Sequence, residues 1–156
     1  ANWGTASTSW SGNTSGDNGS PNDNNPGWVP VDTDGDGMSD DYETTHFGGA
    51  TNGVANADDD LDKMTNLGEF LANTNPNDSN SVFEVIGVVP SGSGASITLG
   101  DTSPLRQYQV ESSSDPVNPA SWSPIGAEVM GNSGTTVIND SNTATNLDYR
   151  GKASLP

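Results

Sequence analysis

The chain has 156 residues, only 29% of them apolar, and a formal net charge of −17. That length accommodates one ordinary domain or two small ones. Its four Lys and Arg residues are scattered, which excludes a nucleic-acid partner; it has no cysteine for disulfides or thiol chemistry, and no apolar run of membrane-spanning length.

Residues 1–30 form an extended polar segment rich in Gly, Ser, Asn, Asp and Pro, with Trp3, Trp10 and Trp28 as its aromatic groups. No signal peptide precedes them, so the chain reads as a mature product beginning at Ala1. Within this segment NWGTASTSW carries no charge and is rich in Thr, Ser and Trp, a composition able to form a strand. Two readings stand side by side: a donor strand for a neighbouring subunit, or a linker whose tryptophans fold back on their own chain.

Residues 31–80 hold two acidic loops. The first, DTDGDGMSDDYE at 32–43, fits the calcium-loop pattern at every required place. Asp32, Asp34 and Asp36 stand at loop positions 1, 3 and 5, and Gly37 at the sharp turn of position 6. Met38 offers its carbonyl at position 7, Asp40 stands at position 9, and Glu43 is placed for bidentate binding at position 12. Three carboxylates spaced two apart only repel one another unless a cation lies between them. The second loop, DDDLDKMTNLGE at 58–69, puts Asp58, Asp60, Asp62, the Met64 carbonyl, Asn66 and Glu69 at the same six places. Here Lys63 replaces the turn glycine, which demands a left-handed backbone costing on the order of 1 kcal/mol and sets a cation near the ion. The second site is therefore expected to be the weaker. Eleven of the 21 acidic residues lie in the two loops, so two calcium ions would neutralise the most crowded charge and take the place of disulfide staples. Short helices are expected near 40–47 and 66–72, stopped by Gly48-Gly49 and by Asn73 with the Asn75-Pro76 turn. Tyr42 and Phe70 are available to pack between the two units.

The paired loops, each followed by a short helix, resemble the calcium repeats of thrombospondin type 3 and dockerin-type (EF-hand-like) proteins, most closely a version common in secreted bacterial proteins. The resemblance extends over residues 31–156: FEVIGV, YQVESSSD, the Trp122 segment WSPI and DYRGKASLP look like strands of the small fibronectin type III-like domain that follows such repeats. It implies an extracellular or cell-surface, calcium-stabilised module rather than one shared activity. Lys63 departs from the pattern, and so does Gly151, which stands where an apolar strand residue is expected.

Residues 81–156 read as a mainly β unit, with strands near 82–89, 95–100, 107–113, 122–130, 134–139 and 147–154 separated by Ser/Gly/Pro/Asn turns. Tyr108 and Val110 alternate with Gln107, Gln109 and Glu111, the mark of a half-buried strand. The expected fold is a small Ig or fibronectin type III-like β-sandwich preceded by the paired loop module. Six strands is one short of a complete seven-stranded sandwich, and DYRGKASLP resembles the penultimate strand. An open sheet edge of this kind invites an added strand.

Catalysis finds little in the sequence. His46, the single histidine, sits at a helix end beside Phe47, no serine lies in a nucleophile elbow, and the best-placed carboxylates belong to the loops. Stacking of Trp3, Trp10, Trp28 and Trp122 on sugar rings makes glycan a further candidate partner, although Trp122 is expected to pack at the sandwich edge instead. The sequons at Asn13, Asn18, Asn77 and Asn139 carry little weight in a bacterial protein. The expectation is thus a non-enzymatic, calcium-binding structural protein, a subunit of a surface fibre assembled head-to-tail from copies of itself by strand addition. The alternative is a calcium-stabilised carbohydrate-binding or dockerin-like accessory module, or a spacer of a secreted protein.

Overall fold

A computed structural model of the chain describes residues 31–156 other than 93, 143 and 145. The expectations placed on residues 1–30, including the donor strand, Trp3, Trp10, Trp28 and the Asn13 and Asn18 sequons, lie outside the described residues. The order of elements is helix α1 (Asp40–Phe47), helix α2 (Asn66–Ala72), then strands β1 (Val85–Ser91), β2 (Gly94–Thr102), β3 (Gln107–Ser113), β4 (Ser123–Met130), β5 (Gly134–Asp140) and β6 (Asp148–Ser154). A single 3-10 turn, Pro119–Ser121, precedes β4.

The protein is mainly β. Six strands among the described residues form two antiparallel three-stranded sheets, β1-β2-β5 and β4-β3-β6. Both central strands alternate as their sequences require. Ala95, Ile97 and Leu99 of β2 face Tyr108 and Val110 of β3 across a shared core, completed by Ile138 and flanked by Phe83, Val85, Ile125, Tyr149 and Ala153. The first strand starts later than its apolar run, at Val85, because residues before it connect the two halves: the Phe83 amide donates to Met64 Sδ at 3.3 Å. Gly151 has a clear reason. A Cβ there would lie 2.6 Å from Phe83 Cζ and 3.2 Å from Leu99 Cδ2, so the Phe83 ring fills the place of the absent side chain.

Both helices begin and end where their caps dictate. Ser39 accepts from the Tyr42 amide and Thr65 from the Gly68 amide, each satisfying a free donor of the first turn. Gly48 (φ 79°) and Asn73 (φ 62°) close the helices in the left-handed conformation. The helices share a second apolar cluster of Met38, Ala55 and Phe70, with Tyr42, Phe47, Leu67, Leu71 and Leu155 packed against it. Tyr42 meets Phe70 edge-on at 5.0 Å between ring centres.

The helical cluster docks on the sheets through α2. Tyr108 Oη donates to the Ala72 carbonyl at 2.9 Å and accepts from the Ser103 amide at 2.8 Å. Arg106, 2% exposed, donates from Nε and Nη2 to the Phe70 carbonyl at 3.3 and 3.0 Å, and its guanidinium lies 5.6 Å from the Phe70 ring centre. A buried cation at the C-terminal end of a helix meets the negative pole of the helix dipole, which offsets part of its desolvation.

Candidate metal centre

The first loop winds around its own carboxylates. Asp32 Oδ1 accepts from the Gly35 amide at 2.7 Å, its Oδ2 from the Gly37 amide at 3.0 Å, and Asp36 Oδ1 from the Met38 amide at 2.9 Å. Closing that turn requires positive φ twice, at Gly35 (76°) and Gly37 (98°). Asp32, Asp34 and Asp36 each offer a carboxylate oxygen within 4.8 Å of the others.

The second loop repeats this geometry without glycine. Asp58 Oδ2 accepts from the Lys63 amide at 3.0 Å, Asp62 Oδ1 from the Met64 amide at 2.6 Å, and Asp58, Asp60 and Asp62 form the second triad. Lys63 takes φ 84°, as its place in the repeat demands. Leu61 takes φ 67° as well, a second strained residue that the motif does not reveal. The signal lay in the partner loop, where the corresponding residue is Gly35.

The position-12 residues provide the strongest sign of a missing partner. Glu43 and Glu69 are both fully buried. Glu43 Oε1 accepts from the Gly53 amide at 3.0 Å, and Glu69 Oε1 lies 3.5 Å from Thr74 Oγ1, but Oε2 of each has no hydrogen-bond partner. Among the described residues, six buried side-chain polar atoms lack a partner, and five stand at the pattern's ligand positions: Glu43 Oε2, Asp60 Oδ2, Asp62 Oδ2, Asn66 Oδ1 and Glu69 Oε2. The sixth is Tyr42 Oη, whose ionisation is opposed by burial and by the charges of Glu69 and Asp60. Buried polar atoms are paired in the great majority of cases. Here the exceptions are concentrated in two acidic loops, each built around a carboxylate triad that could hold a cation.

Electrostatics agree. Burial, followed by the charges of Asp34, Asp36 and Asp40, pushes the Glu43 carboxyl up, against the Gly53 amide that lowers it. Burial, then Asp60 and Asp62, raises Glu69 to about 7. Burial likewise raises Asp36. These groups resist ionisation first because they are buried and then because their negative charges converge. A cation among them reverses that cost.

The position-9 residues differ. Asn66 Nδ2 donates to the Val54 carbonyl at 3.1 Å, fixing the amide so that Oδ1 is the unpartnered atom. Asp40 instead accepts from the Thr33 amide and Thr33 Oγ1, both at 2.7 Å, so its carboxylate braces the loop across seven residues. Its remaining lone pairs suit a water-mediated contact, a common arrangement at this position. The methionines also part company: the Met38 side chain is buried in the helical cluster, whereas Met64 reaches toward the sheets. Gly53 belongs to the site although it lies outside both motifs. A Cβ there would come within 2.6 Å of Met38 Cε and 2.8 Å of Phe47 Cδ2, so only glycine brings its amide to Glu43.

His46 is not near the triads' chemistry. Its ring packs on Tyr42 at 4.4 Å between centres, and burial lowers its basicity. Trp122 is half-buried beneath the Arg150 guanidinium, 4.4 Å from the ring centre, while Arg150 and Lys152 both pair with Glu111. Of the two sequons among the described residues, Asn77 uses its amide to donate to the His46 carbonyl and Asn139 accepts from Ser96.

The two acidic triads could thus hold metal ions. All the donors presented are oxygen, a set suited to hard cations. No protein-family model matches the sequence, and searches of curated proteins and of solved structures return no match.

Proposed function

We propose that the protein is an extracellular structural subunit whose helical unit is clamped by two calcium ions and whose β unit takes part in head-to-tail fibre assembly by strand addition. The observation that carries the calcium reading is the pair of fully buried, half-partnered glutamates, Glu43 and Glu69, at the closing position of two matched oxygen-rich loops. Calcium, with six to eight flexible oxygen ligands, suits three monodentate carboxylates, a main-chain carbonyl and a bidentate glutamate better than magnesium does. The ligands would be Asp32, Asp34, Asp36, the Met38 carbonyl and Glu43 in the first loop, with Asp40 through water. In the second they would be Asp58, Asp60, Asp62, the Met64 carbonyl, Asn66 and Glu69.

The sheet order supports a fibronectin type III-like identity for the β unit. Strands β1-β2-β5 facing β4-β3-β6 follow the order of the first six strands of such a sandwich. A sandwich whose β6 edge has no neighbour among the described strands, carried on a calcium-clamped base, suits a building block. Titration calorimetry tests the first part: two binding events for calcium and none of comparable strength for magnesium are expected. Negative-stain images with calcium and with chelator test the second. Dispersed particles under both conditions would rule out the fibre.

A further inference from the structure

The two sheets do not close evenly. Along β5 the inward residues Thr136 and Ile138 are buried, so the core is sealed on that flank. On the opposite flank Val88 pairs with Ile97 and Pro90 with Ala95, which places both on the inner face. Ile97 and Ala95 are buried, yet Val88 is 43% exposed and Pro90 is exposed too. Facing them, Tyr149 and Ala153 of β6 are only half-buried. Between lies a cleft of ≈ 340 Å³ lined by Val88, Pro90, Ala95, Leu147 and Tyr149 among others.

The free edges are not equivalent either. β1 carries Pro90 and a register shift between Val85 and Gly87, and β4 carries Pro124 and irregular pairing around Gly126 (φ 64°). Such features blunt an edge against pairing. β6 has no proline and pairs with β3 in unbroken register over seven positions. Of its three charged residues, Asp148 begins the strand opposite Ser113, and Arg150 and Lys152 are held by Glu111 of β3 on the outer face, away from the cleft. Among the described strands, β6 alone combines a regular free edge with an open core beside it.

We infer that this slot, between the free edge of β6 and the inner face of β1, is the acceptor for residues near 2–10 of a second copy, with Trp3 or Trp10 seated in the cleft. The inference rests on the reading of the protein as a self-assembling subunit. The occupant fits chemically: residues 1–16 carry no charged side chain in a chain of net charge −17, so they can enter an apolar slot without stranding a charge. The polarity fits as well. The donor segment joins the chain at Val31, whose carbonyl accepts from Asp40 in the loop module. That module docks at the end of the sheets bearing Ser103, Arg106 and Leu155, whereas the cleft opens at the other end, around Ser91 and Asn142. The point where the donor segment joins the described chain and the acceptor cleft thus lie at opposite ends of the sheets, which suits a head-to-tail contact that propagates unless it closes a ring.

The chain is free of cysteine, so thiol cross-linking can be placed at will. Full-length S7C and full-length D148C, mixed in calcium and treated with a short bis-maleimide, should give cross-linked heterodimers several-fold in excess of S7C mixed with T135C on β5. The double variant S7C/D148C should give a ladder. Hydrogen exchange on the unaltered chain supplies a second readout: amides 148–154 should be open at low concentration and protected once assembled. A cross-linked monomer alone, equal yield at β5, no cross-link, or protection of 148–154 in the dilute monomer would each overturn the inference. Assembly that forms with cross-links elsewhere rejects the slot alone, whereas absence of assembly in calcium rejects the parent reading.

Discussion

At the level of single residues, the second loop keeps the geometry of the first at a conformational cost. Leu61 and Lys63 occupy the left-handed conformations that Gly35 and Gly37 adopt freely. Because ion binding is coupled to ordering of the loop, Lys63→Gly should strengthen the second site by about 1 kcal/mol, roughly fivefold in affinity. The gain would combine relief of strain with removal of a cation; unchanged or weaker binding in a calcium titration would show that the Lys63 side chain makes a favourable contact. Glu69 supplies a pH signature. Its carboxyl rises from an ordinary 4.5 to about 7 in the calcium-free fold, through burial and then the charges of Asp60 and Asp62. The folded state therefore holds more protons than the unfolded chain between those values, and calcium-free stability falls as pH rises through that window. Calcium must displace the proton, so second-site affinity should climb up to about pH 7. Calorimetry at pH 6 in buffers of different ionisation enthalpy should detect proton release, and none would be expected from Glu69→Gln at that site.

Among the elements, α2 links the loops to the sheets. Its last carbonyls receive Arg106 and Tyr108, its first turn carries Asn66 and Glu69, the proposed second-loop ligands, and Met64 just before it accepts from Phe83. Tyr108→Phe would leave the buried Ser103 amide and the Ala72 carbonyl short of a partner, a loss of about 1–3 kcal/mol in denaturant unfolding. If α2 transmits order, the same variant should also show a smaller stabilisation of the β unit by calcium, read as exchange protection in β3. An unaltered calcium effect would place the coupling in Met64 and Phe83 instead.

Across the whole molecule, a thin apolar complement is divided between two small clusters, and the cluster under the loops holds only three fully or nearly buried apolar residues. Small cores of this kind depend on staples. Chelation should therefore lower the melting temperature and remove exchange protection from residues 31–80 first, with the sheets following through α2. Calorimetry in chelator and in millimolar calcium measures it; identical melting curves would mean the loops need no ion to fold.

Both helices and most of the strands were legible in the sequence because alternation, caps and turn residues are local signals, although the first strand, expected at 82–89, runs from Val85 to Ser91; the two acidic triads were legible because their carboxylates follow a fixed spacing. Gly37 and Lys63 could be assigned left-handed turns from that spacing alone. Contacts between distant segments were not legible. That Gly53 holds Glu43, that Thr33 engages both oxygens of Asp40, that Phe83 fills the space over Gly151 and that Arg106 caps α2 all depend on how separate pieces pack. Which strands stand at the sheet edges was likewise decided by packing. Val88 and Ile138 look alike in sequence as strand valine and isoleucine; the fold buries one and leaves the other half-open because β5 ends on a sealed flank and β1 faces a slot.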